Sequence, residues 1–313
     1  MQPQPSNVPR RPVFALGLLL CIYLFRQALA SLLVAIAPPS LPVWGQYAAA
    51  LAQEALIFGL PLLLCCRARP GLRSAVRHRR LSVGAGIGLA VAAALSVFVM
   101  NLLNAWWLLL LTRLGVPLPA APLPVPVSRA DLALALLTVG PVAALCEEWL
   151  FRGLLFHDLE GAGTAGAWLA TGFLFALMHG QYTALPAHLA LGLLLGGLLV
   201  GYGSLWAPML YHAAYNGVTV LVAYRAAGMP QSEAAQAPDA AALLAALPFG
   251  TMLLSVCAAL LLLPMRWVSD ARALRAQAPW ARGAKWLLAV LLALFILAYA
   301  GAIYRAVTPG VRQ

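Results

Sequence analysis

Apolar segments follow one another along almost the whole chain, each close to the length that a helix needs to cross a membrane. A helix crosses a hydrocarbon core of about 30 Å with about 20 residues. Nine segments can be drawn, although the fifth and sixth are short and a count of eight is an alternative. The sequence therefore predicts an all-α fold, a polytopic transmembrane helical bundle of about eight to nine helices. The segments cover residues 13–37, 45–66, 81–111, 131–156, 165–180, 185–202, 205–224, 241–265 and 285–304.

Charged residues are scarce, which agrees with this fold class. They make up only 9% of the 313 residues, whereas 63% are hydrophobic. A soluble domain carries about 25% charged residues. Because a chain this apolar cannot cover its surface with polar groups, the composition argues against a large soluble protein and indicates that the lipid bilayer is its solvent.

The basic residues lie mainly in short loops and give the chain a net charge of +11. They are concentrated in residues 67–80 and 266–285. Loops enriched in Arg and Lys face the cytoplasm, so both are expected on that side. With nine crossings they share the side with Arg10 and Arg11, which predicts the N-terminus inside and the C-terminus outside. Topology explains the charge, and no nucleic-acid partner is expected.

The apolar segments and the polar motifs within them predict three parts of the chain. Residues 1–127 hold three N-terminal transmembrane helices and a basic cytoplasmic loop, residues 128–224 hold a helical core with most of the intramembrane polar residues, and residues 225–313 hold two C-terminal transmembrane helices. The bias toward Ala, Gly, Arg and Pro is typical of a GC-rich bacterial genome. The expected location is therefore the cell (cytoplasmic) membrane, which the chain crosses several times.

Two isolated charges, Arg26 and Glu54, lie inside the first and second apolar segments. Both fall in the outer half of the membrane when about 1.5 Å is counted for each residue. Because an intramembrane charge usually needs a partner, we expect an Arg26–Glu54 ion pair that holds the two helices together.

Two adjacent glutamates, Glu147 and Glu148, lie in the run ALCEEWLFRG, which also contains Arg152. Acids inside a membrane segment are costly and usually functional. Adjacent side chains point about 100° apart around a helix, so the two glutamates face different directions. Glu148 and Arg152 can form an i, i+4 ion pair, which leaves Glu147 free to exchange protons as a general base. The alternative is that the acidic pair only ends a helix at the cytoplasmic interface.

Histidines and an asparagine mark two later segments. His179 ends the run GFLFALMHG one turn after Phe175, and His212 precedes Asn216 by one turn in WAPMLYHAAYNG. Because residues four apart share a helix face, His212 and Asn216 can direct two donors at one atom, as a developing oxyanion requires. His188 is interpreted as an interfacial residue rather than as a further ligand.

Four glycines follow one another in the sixth segment at spacings near four residues. Small residues let helices approach closely, so we expect tight packing that brings the helices of the two histidines together. The glycines are Gly192, Gly196, Gly197 and Gly201.

Taken in order, the motifs EExxxR, FxxxH and HxxxN resemble those of the CPBP intramembrane proteases. This family includes the type II CAAX prenyl endopeptidases and bacteriocin-immunity relatives. The stretch GLLLGGLLVGYGSLWAPMLYHAAYN is also similar to the family. The resemblance covers about residues 128–224, and the flanking helices are too generic to match. Each motif alone is a weak signal, whereas the ordered set is a strong one.

The resemblance implies a glutamate protease in which catalysis is shared among six residues. Glu147 with His179 would activate a water for attack on the scissile carbonyl. His212 and Asn216 would hold the oxyanion, and the site would be oriented and stabilised by Glu148 and Arg152. No cofactor is expected under this mechanism.

The depths of Glu147 and His179 conflict if the helices are straight and begin at the membrane surface. Glu147 would lie about 24 Å from the outer surface and His179 about 21 Å from the inner one. The site can assemble only if Pro141 kinks the fourth helix or if that helix begins above the bilayer.

Two alternatives to a glutamate protease stay open from the sequence. One is a zinc-dependent intramembrane protease whose metal is bound by Glu147, His179 and His212, with Glu148 as a further candidate ligand and an open position for water. The other is a transporter or immunity scaffold that keeps the fold without catalysis, since buried acids and histidines also serve proton relays. The expected partner of the enzyme is a membrane-embedded protein or peptide. The sequence does not determine the oligomeric state.

Overall fold

A computed structural model describes residues 9–36, 41–119, 124–228, 239–263 and 282–307. Within these ranges the chain forms nine long helices and no β-strand. The helices are α1 (Pro12–Ile36), α2 (Val43–Ala68), α3 (Val83–Arg113), α4 (Arg129–Leu159), α5 (Thr164–Met178), α6 (Leu185–Tyr202), α7 (Trp206–Ala227), α8 (Ala240–Leu262) and α9 (Arg282–Val307).

Seven helices of the described residues are long and apolar enough to cross a membrane. The other two belong to the centre of the molecule. Helix α5 has only 15 residues, and α7 carries several polar residues among its apolar ones. The predicted fold class, a polytopic transmembrane helical bundle, is confirmed, and the protein is a multi-pass membrane protein.

The loops that precede α1 and that join α2 to α3 meet at one end of the bundle, which we call the basic end. Here Arg69 forms a bidentate ion pair with Asp158 at the end of α4, with N–O distances of 2.7 and 2.8 Å. Arg77 and Arg10 both pair with Glu160 in the following turn. Arg10 and the loop 67–80 therefore share one side, as the nine-crossing topology predicts.

The second basic loop predicted from the sequence, residues 266–285, falls largely outside the described residues. Its Arg266, Arg272 and Arg275 belong to that part. Helix α9 nevertheless begins close to the start of α1, because a side chain placed at Gly283 would lie 3.4 Å from Val13. Which end faces the cytoplasm stays a prediction.

Helix α4 is longer than the hydrocarbon core, and this resolves the depth conflict. It begins with a capping box between Ser128 and Asp131. Its 31 residues extend about 46 Å, compared with a core of about 30 Å. Measured from the turn that joins α4 to α5, Glu147 lies about 18 Å and His179 about 22 Å along their helices. The two side chains are therefore at nearly the same height.

Helices α5 and α6 pack with almost no space between their backbones. A Cβ atom added at Gly192 would lie 2.6 Å from the carbonyl oxygen of Gly172, and one at Gly196 would lie 2.4 Å from the Trp168 ring. The Trp168 indole donates to the carbonyl of Leu193 at 2.6 Å. The prediction of tight packing through the glycines is confirmed, and it places α6 beside both histidine helices.

Candidate active site

The second glutamate of the adjacent pair is fixed by a buried ion pair. Arg152 Nη1 donates to Glu148 Oε1 at 2.9 Å, and neither side chain has any exposed surface. Arg152 Nη2 also donates to the carbonyl of Gly192 at 2.8 Å, and its guanidinium lies 4.5 Å from the centre of the Phe175 ring. The ion pair predicted from the i, i+4 spacing is present, and it ties α4 to α5 and α6.

His212 contacts the same carboxylate oxygen. Its Nδ1 lies 3.0 Å from Glu148 Oε1, and because a carboxylate accepts, the imidazole donates. Glu148 therefore receives hydrogen bonds from Arg152 and His212 together and fixes the orientation of the His212 ring. The sequence predicted no contact between Glu148 and His212, since 64 residues separate them.

The first glutamate points in another direction, into a cavity of about 460 Å³. Its Oε2 lies 4.0 Å from Nε2 of His179. The other ring nitrogen of His179, Nδ1, lies 2.8 Å from the carbonyl oxygen of Phe175, to which it donates. The Nε2 lone pair of the neutral ring therefore faces Glu147. A separation of 4.0 Å is too long for a direct hydrogen bond but fits one bridging water.

His212 and Asn216 lie one turn apart on α7 and both line this cavity. The Asn216 amide donates to the carbonyl of Val139 at 2.8 Å. Val139 belongs to a π-helical segment, Thr138–Val142, that contains Pro141. π-Helical turns inside α-helices are frequent at functional sites. One N–H of the Asn216 amide thus donates to α4. The second N–H takes no part in that hydrogen bond and can donate to another acceptor.

His188 lines the cavity beside His179, a contact that its interpretation as an interfacial residue did not include; its position relative to the membrane interface stays a prediction. Its ring stacks on that of His179, with ring centres 4.2 Å apart and planes inclined by 29°. The reason is the start of α6, which follows α5 after a short turn and places its first residues against the end of α5. The sequence signal for this contact was only the nine-residue separation of the two histidines.

The predicted Arg26–Glu54 ion pair is not among the ion pairs of the described residues. Arg26 instead donates to the carbonyl of Met178 at the end of α5. Glu54 Oε2 is buried without a hydrogen-bond partner, and Glu54 lines the cavity that also contains Glu147. The helix positions, which a single sequence does not specify, decide which partner each charge meets.

Several polar residues of the cavity wall were not selected from the sequence. Asn101 and Asn104 lie three residues apart on α3, and Gln53 lies on α2; all three line the cavity. An amide in an otherwise apolar membrane segment is itself a signal for a functional position, and this signal would have identified them.

A group of three or more His, Cys, Asp or Glu side chains suited to hold a metal ion does not occur in the described part of the chain. In the zinc alternative, Glu147, His179 and His212 would be ligands. In the structure, His212 Nδ1 bonds to Glu148 Oε1 and its Nε2 stays available. Metal-bound histidines commonly donate their other ring N–H to a carboxylate, so this arrangement is compatible with either a water or a zinc ion.

Comparison with known proteins gives one match. Residues 129–218 match the family described as Rce1-like, type II CAAX prenyl endopeptidase Rce1-like. The matched segment begins with α4, ends within α7 and contains all six residues selected from the motifs. No curated protein and no solved structure matches the chain.

Proposed function

We propose, from the match of residues 129–218 to the family described as type II CAAX prenyl endopeptidase Rce1-like, that this chain is an intramembrane endopeptidase with a glutamate-activated water. The family indicates a protease, and the mechanism is our inference. It is supported most directly by the 4.0 Å approach of Glu147 to His179 at the wall of a cavity. The proposed substrate is a membrane-associated protein or peptide whose scissile bond enters that cavity.

In the proposed first step a water binds between Glu147 Oε2 and His179 Nε2. Glu147 accepts a proton from this water as its oxygen bonds to the scissile carbonyl carbon, and the carbonyl π electrons move to the carbonyl oxygen. His179 is held for this role by its Nδ1–H bond to Phe175, which fixes the tautomer that presents a lone pair. A positioned base of this kind contributes about 10²–10⁴ in rate.

The developing oxyanion is proposed to bind between His212 and the free N–H of Asn216. His212 can donate from Nε2 only as an imidazolium, because Nδ1 already donates to Glu148. Glu148 Oε1 accepts hydrogen bonds from both His212 Nδ1 and Arg152 Nη1, which holds the His212 ring in this orientation. Glu148 and Arg152 are therefore positioning residues, which act on the reaction through His212.

In the second step the oxyanion collapses and the C–N bond breaks. The nitrogen leaves as an amine with the proton that Glu147 had taken from water. The products leave as a carboxylic acid, which keeps the second proton of the water, and an amine; they become carboxylate and ammonium by exchanging that proton, and Glu147 returns to its starting form.

The experiment compares the membrane peptides of cells that express the wild-type chain, Glu147→Gln or Asp239→Asn. Asp239 caps the start of α8, and asparagine also caps helices, so Asp239→Asn is a matched carboxylate-to-amide control outside the cavity. We expect new peptide termini with the wild type and with Asp239→Asn, and none with Glu147→Gln at equal protein levels.

Cleavage by Glu147→Gln at the wild-type level would refute the glutamate mechanism. The same peptides, once identified, allow the zinc alternative to be tested on purified protein by metal analysis and by cleavage with a chelator present. Loss of cleavage that returns on adding zinc would replace the glutamate mechanism by the metal one. If none of the three strains shows peptide termini beyond those of cells that lack the chain, a non-catalytic scaffold would be favoured.

A further inference from the structure

Buried polar atoms without a hydrogen-bond partner gather around the active-site cavity. In the described part of the chain eight such side-chain atoms occur, and five belong to residues that line this cavity. A buried polar atom left unpaired costs about 1–3 kcal/mol, so native proteins keep such atoms mainly where something else pairs with them. The five atoms are Glu54 Oε2, Asn104 Oδ1, Thr138 Oγ1, Glu147 Oε2 and His188 Nδ1.

Four of the five belong to residues to which the motifs assign no catalytic role, and three of these four carry oxygen atoms. Glu54 lies on α2, Asn104 on α3 and Thr138 at the π-helical segment of α4. Glu54 and Asn104 also lie outside the segment that matches the protease family. These three side chains, Glu54, Asn104 and Thr138, form what we call the polar wall of the cavity. Two of them come from helices that precede the segment with the catalytic residues.

The hydrogen-bonding groups of the polar wall indicate what kind of molecule can bind there. A carboxylate oxygen and a carboxamide oxygen accept hydrogen bonds, and a threonine hydroxyl can both accept and donate. A molecule that binds here must therefore present hydrogen-bond donors to these oxygens. Main-chain N–H groups are such donors, since a peptide in the bilayer has to satisfy every one of them internally or through protein.

A helical substrate peptide exposes unpaired main-chain N–H groups when it is cleaved. Its scissile carbonyl must leave the helix so that a water can reach it, and the neighbouring N–H and C=O groups then lose their helical partners. A wall of acceptors beside Glu147 can pair with the freed N–H groups.

We propose that Glu54, Asn104 and Thr138 form a subsite that binds the main chain of an extended substrate peptide beside Glu147. The identification of the bound molecule as a substrate peptide rests on the proposed function. Because the subsite recognises N–H groups that every residue except proline carries, it positions the scissile bond without selecting side chains.

The test measures peptide binding rather than cleavage, on the full-length Glu147→Gln protein in detergent. The probe is an equimolar pool of acetylated and amidated 14-residue peptides composed of Ala, Leu, Val, Phe, Ser and Thr. A second pool has the same sequences with alternate main-chain nitrogens methylated, which removes the donors. Peptides retained by the protein are quantified by mass spectrometry, and we expect at least tenfold lower retention of the methylated pool.

Variants of the polar wall test which side chains accept hydrogen bonds from the peptide N–H groups. Asn104→Leu and Thr138→Val should each lower retention of the unmethylated pool about three- to tenfold, the value of one neutral hydrogen bond. Thr112→Val on the same helix is the control for Asn104→Leu, because its hydroxyl donates to the carbonyl of Leu108 away from the cavity. The melting temperature should be unchanged or higher in Asn104→Leu, since an unpaired buried atom is removed.

Equal retention of both pools, or retention of neither, would overturn the proposal. So would Asn104→Leu and Thr138→Val proteins that bind like Thr112→Val, even if their melting temperatures fall. Because the experiment measures retention rather than cleavage, the result is separate from the catalytic mechanism. If Glu147→Gln still cleaves while the pools are discriminated, the subsite stands and the glutamate mechanism fails.

Discussion

Helix α4 carries buried acids in two regions, and the two regions treat them differently. At the basic end both oxygens of Asp158 accept hydrogen bonds from Arg69, and the side chains are 0% and 5% exposed. About three turns earlier Glu147 enters the cavity with Oε2 unpaired. Both acids are buried, yet only the first has a complete set of partners.

The difference separates acids that hold the fold from acids available for chemistry. A buried charge with its partner in place links elements, and removing one partner is costly. A buried carboxylate with a free oxygen is retained at a cost to stability, which indicates that a molecule outside the fold uses it. Glu148 combines features of both acids. Its Oε1 accepts from Arg152 in an ion pair and also from His212, a residue of the candidate active site.

The difference between the two acids is tested most strongly by replacing each carboxylate with the corresponding amide. Glu147→Gln should abolish cleavage and leave the free energy of unfolding unchanged or slightly higher, since no partner is lost. Asp158→Asn should lower the free energy of unfolding by about 3–5 kcal/mol, because Arg69 becomes a buried unpaired charge. Its folded fraction should cleave at the wild-type rate. Denaturation in detergent and cleavage per folded molecule measure the two effects, and exchanged outcomes would contradict this view of α4.

Arg152→Ala should combine both effects. Glu148 loses its buried partner, so we expect a loss of about 3–5 kcal/mol in the free energy of unfolding together with loss of cleavage. The double variant Glu148→Leu/Arg152→Met replaces the pair by apolar side chains and should recover stability. It should not recover cleavage, because His212 no longer has its acceptor. Recovery of cleavage in the double variant would show that the pair serves stability alone.

Asn216→Ala should lower the cleavage rate about 10²–10³-fold, or about 2.7–4 kcal/mol, if the amide binds the oxyanion. The measurement is single-turnover cleavage of a peptide identified as a substrate. Thr219→Val is the control, because Thr219 also lines the cavity from α7 and its hydroxyl donates within the helix. Equal rates in the two variants would mean that Asn216 only joins α7 to Val139.

Gly192→Ala should give the smallest effect, about 1–3 kcal/mol of lost stability. The added Cβ would lie 2.6 Å from the backbone oxygen of Gly172, which cannot move without separating α5 from α6. Gly84→Ala on α3 is the matched control, since no atom lies within 4 Å of its added Cβ. Equal melting temperatures for the two variants would contradict the tight helix contact.

The sequence predicts most of the fold because the bilayer restricts it so strongly. Each apolar segment becomes one helix, and the predicted limits 205–224 and 285–304 lie close to the observed Trp206–Ala227 and Arg282–Val307. The Glu148–Arg152 pair follows from local spacing, since residues four apart on a helix always approach one another.

Contacts between helices are where the sequence is insufficient. The partner of Arg26 depends on where α5 ends relative to α1, and the stacking of His188 on His179 depends on the turn between α5 and α6. The length of α4 beyond the hydrocarbon core could not be read from its apolar run, which produced the apparent depth conflict. Asn104 carried a readable signal, a lone amide in an apolar segment, but its role depends on the cavity it faces.

The central claim is that Glu147 faces water inside the membrane. It is tested most directly by thiol labelling in a bilayer, with the five native cysteines replaced by alanine. A small charged thiol reagent is applied to Glu147→Cys and, as the control, to Leu145→Cys, a position two residues earlier that is 49% exposed on the outside of the bundle. We expect labelling of Glu147→Cys and protection of Leu145→Cys by lipid. A Glu147→Cys protein that remains as unreactive as Leu145→Cys would contradict the central claim.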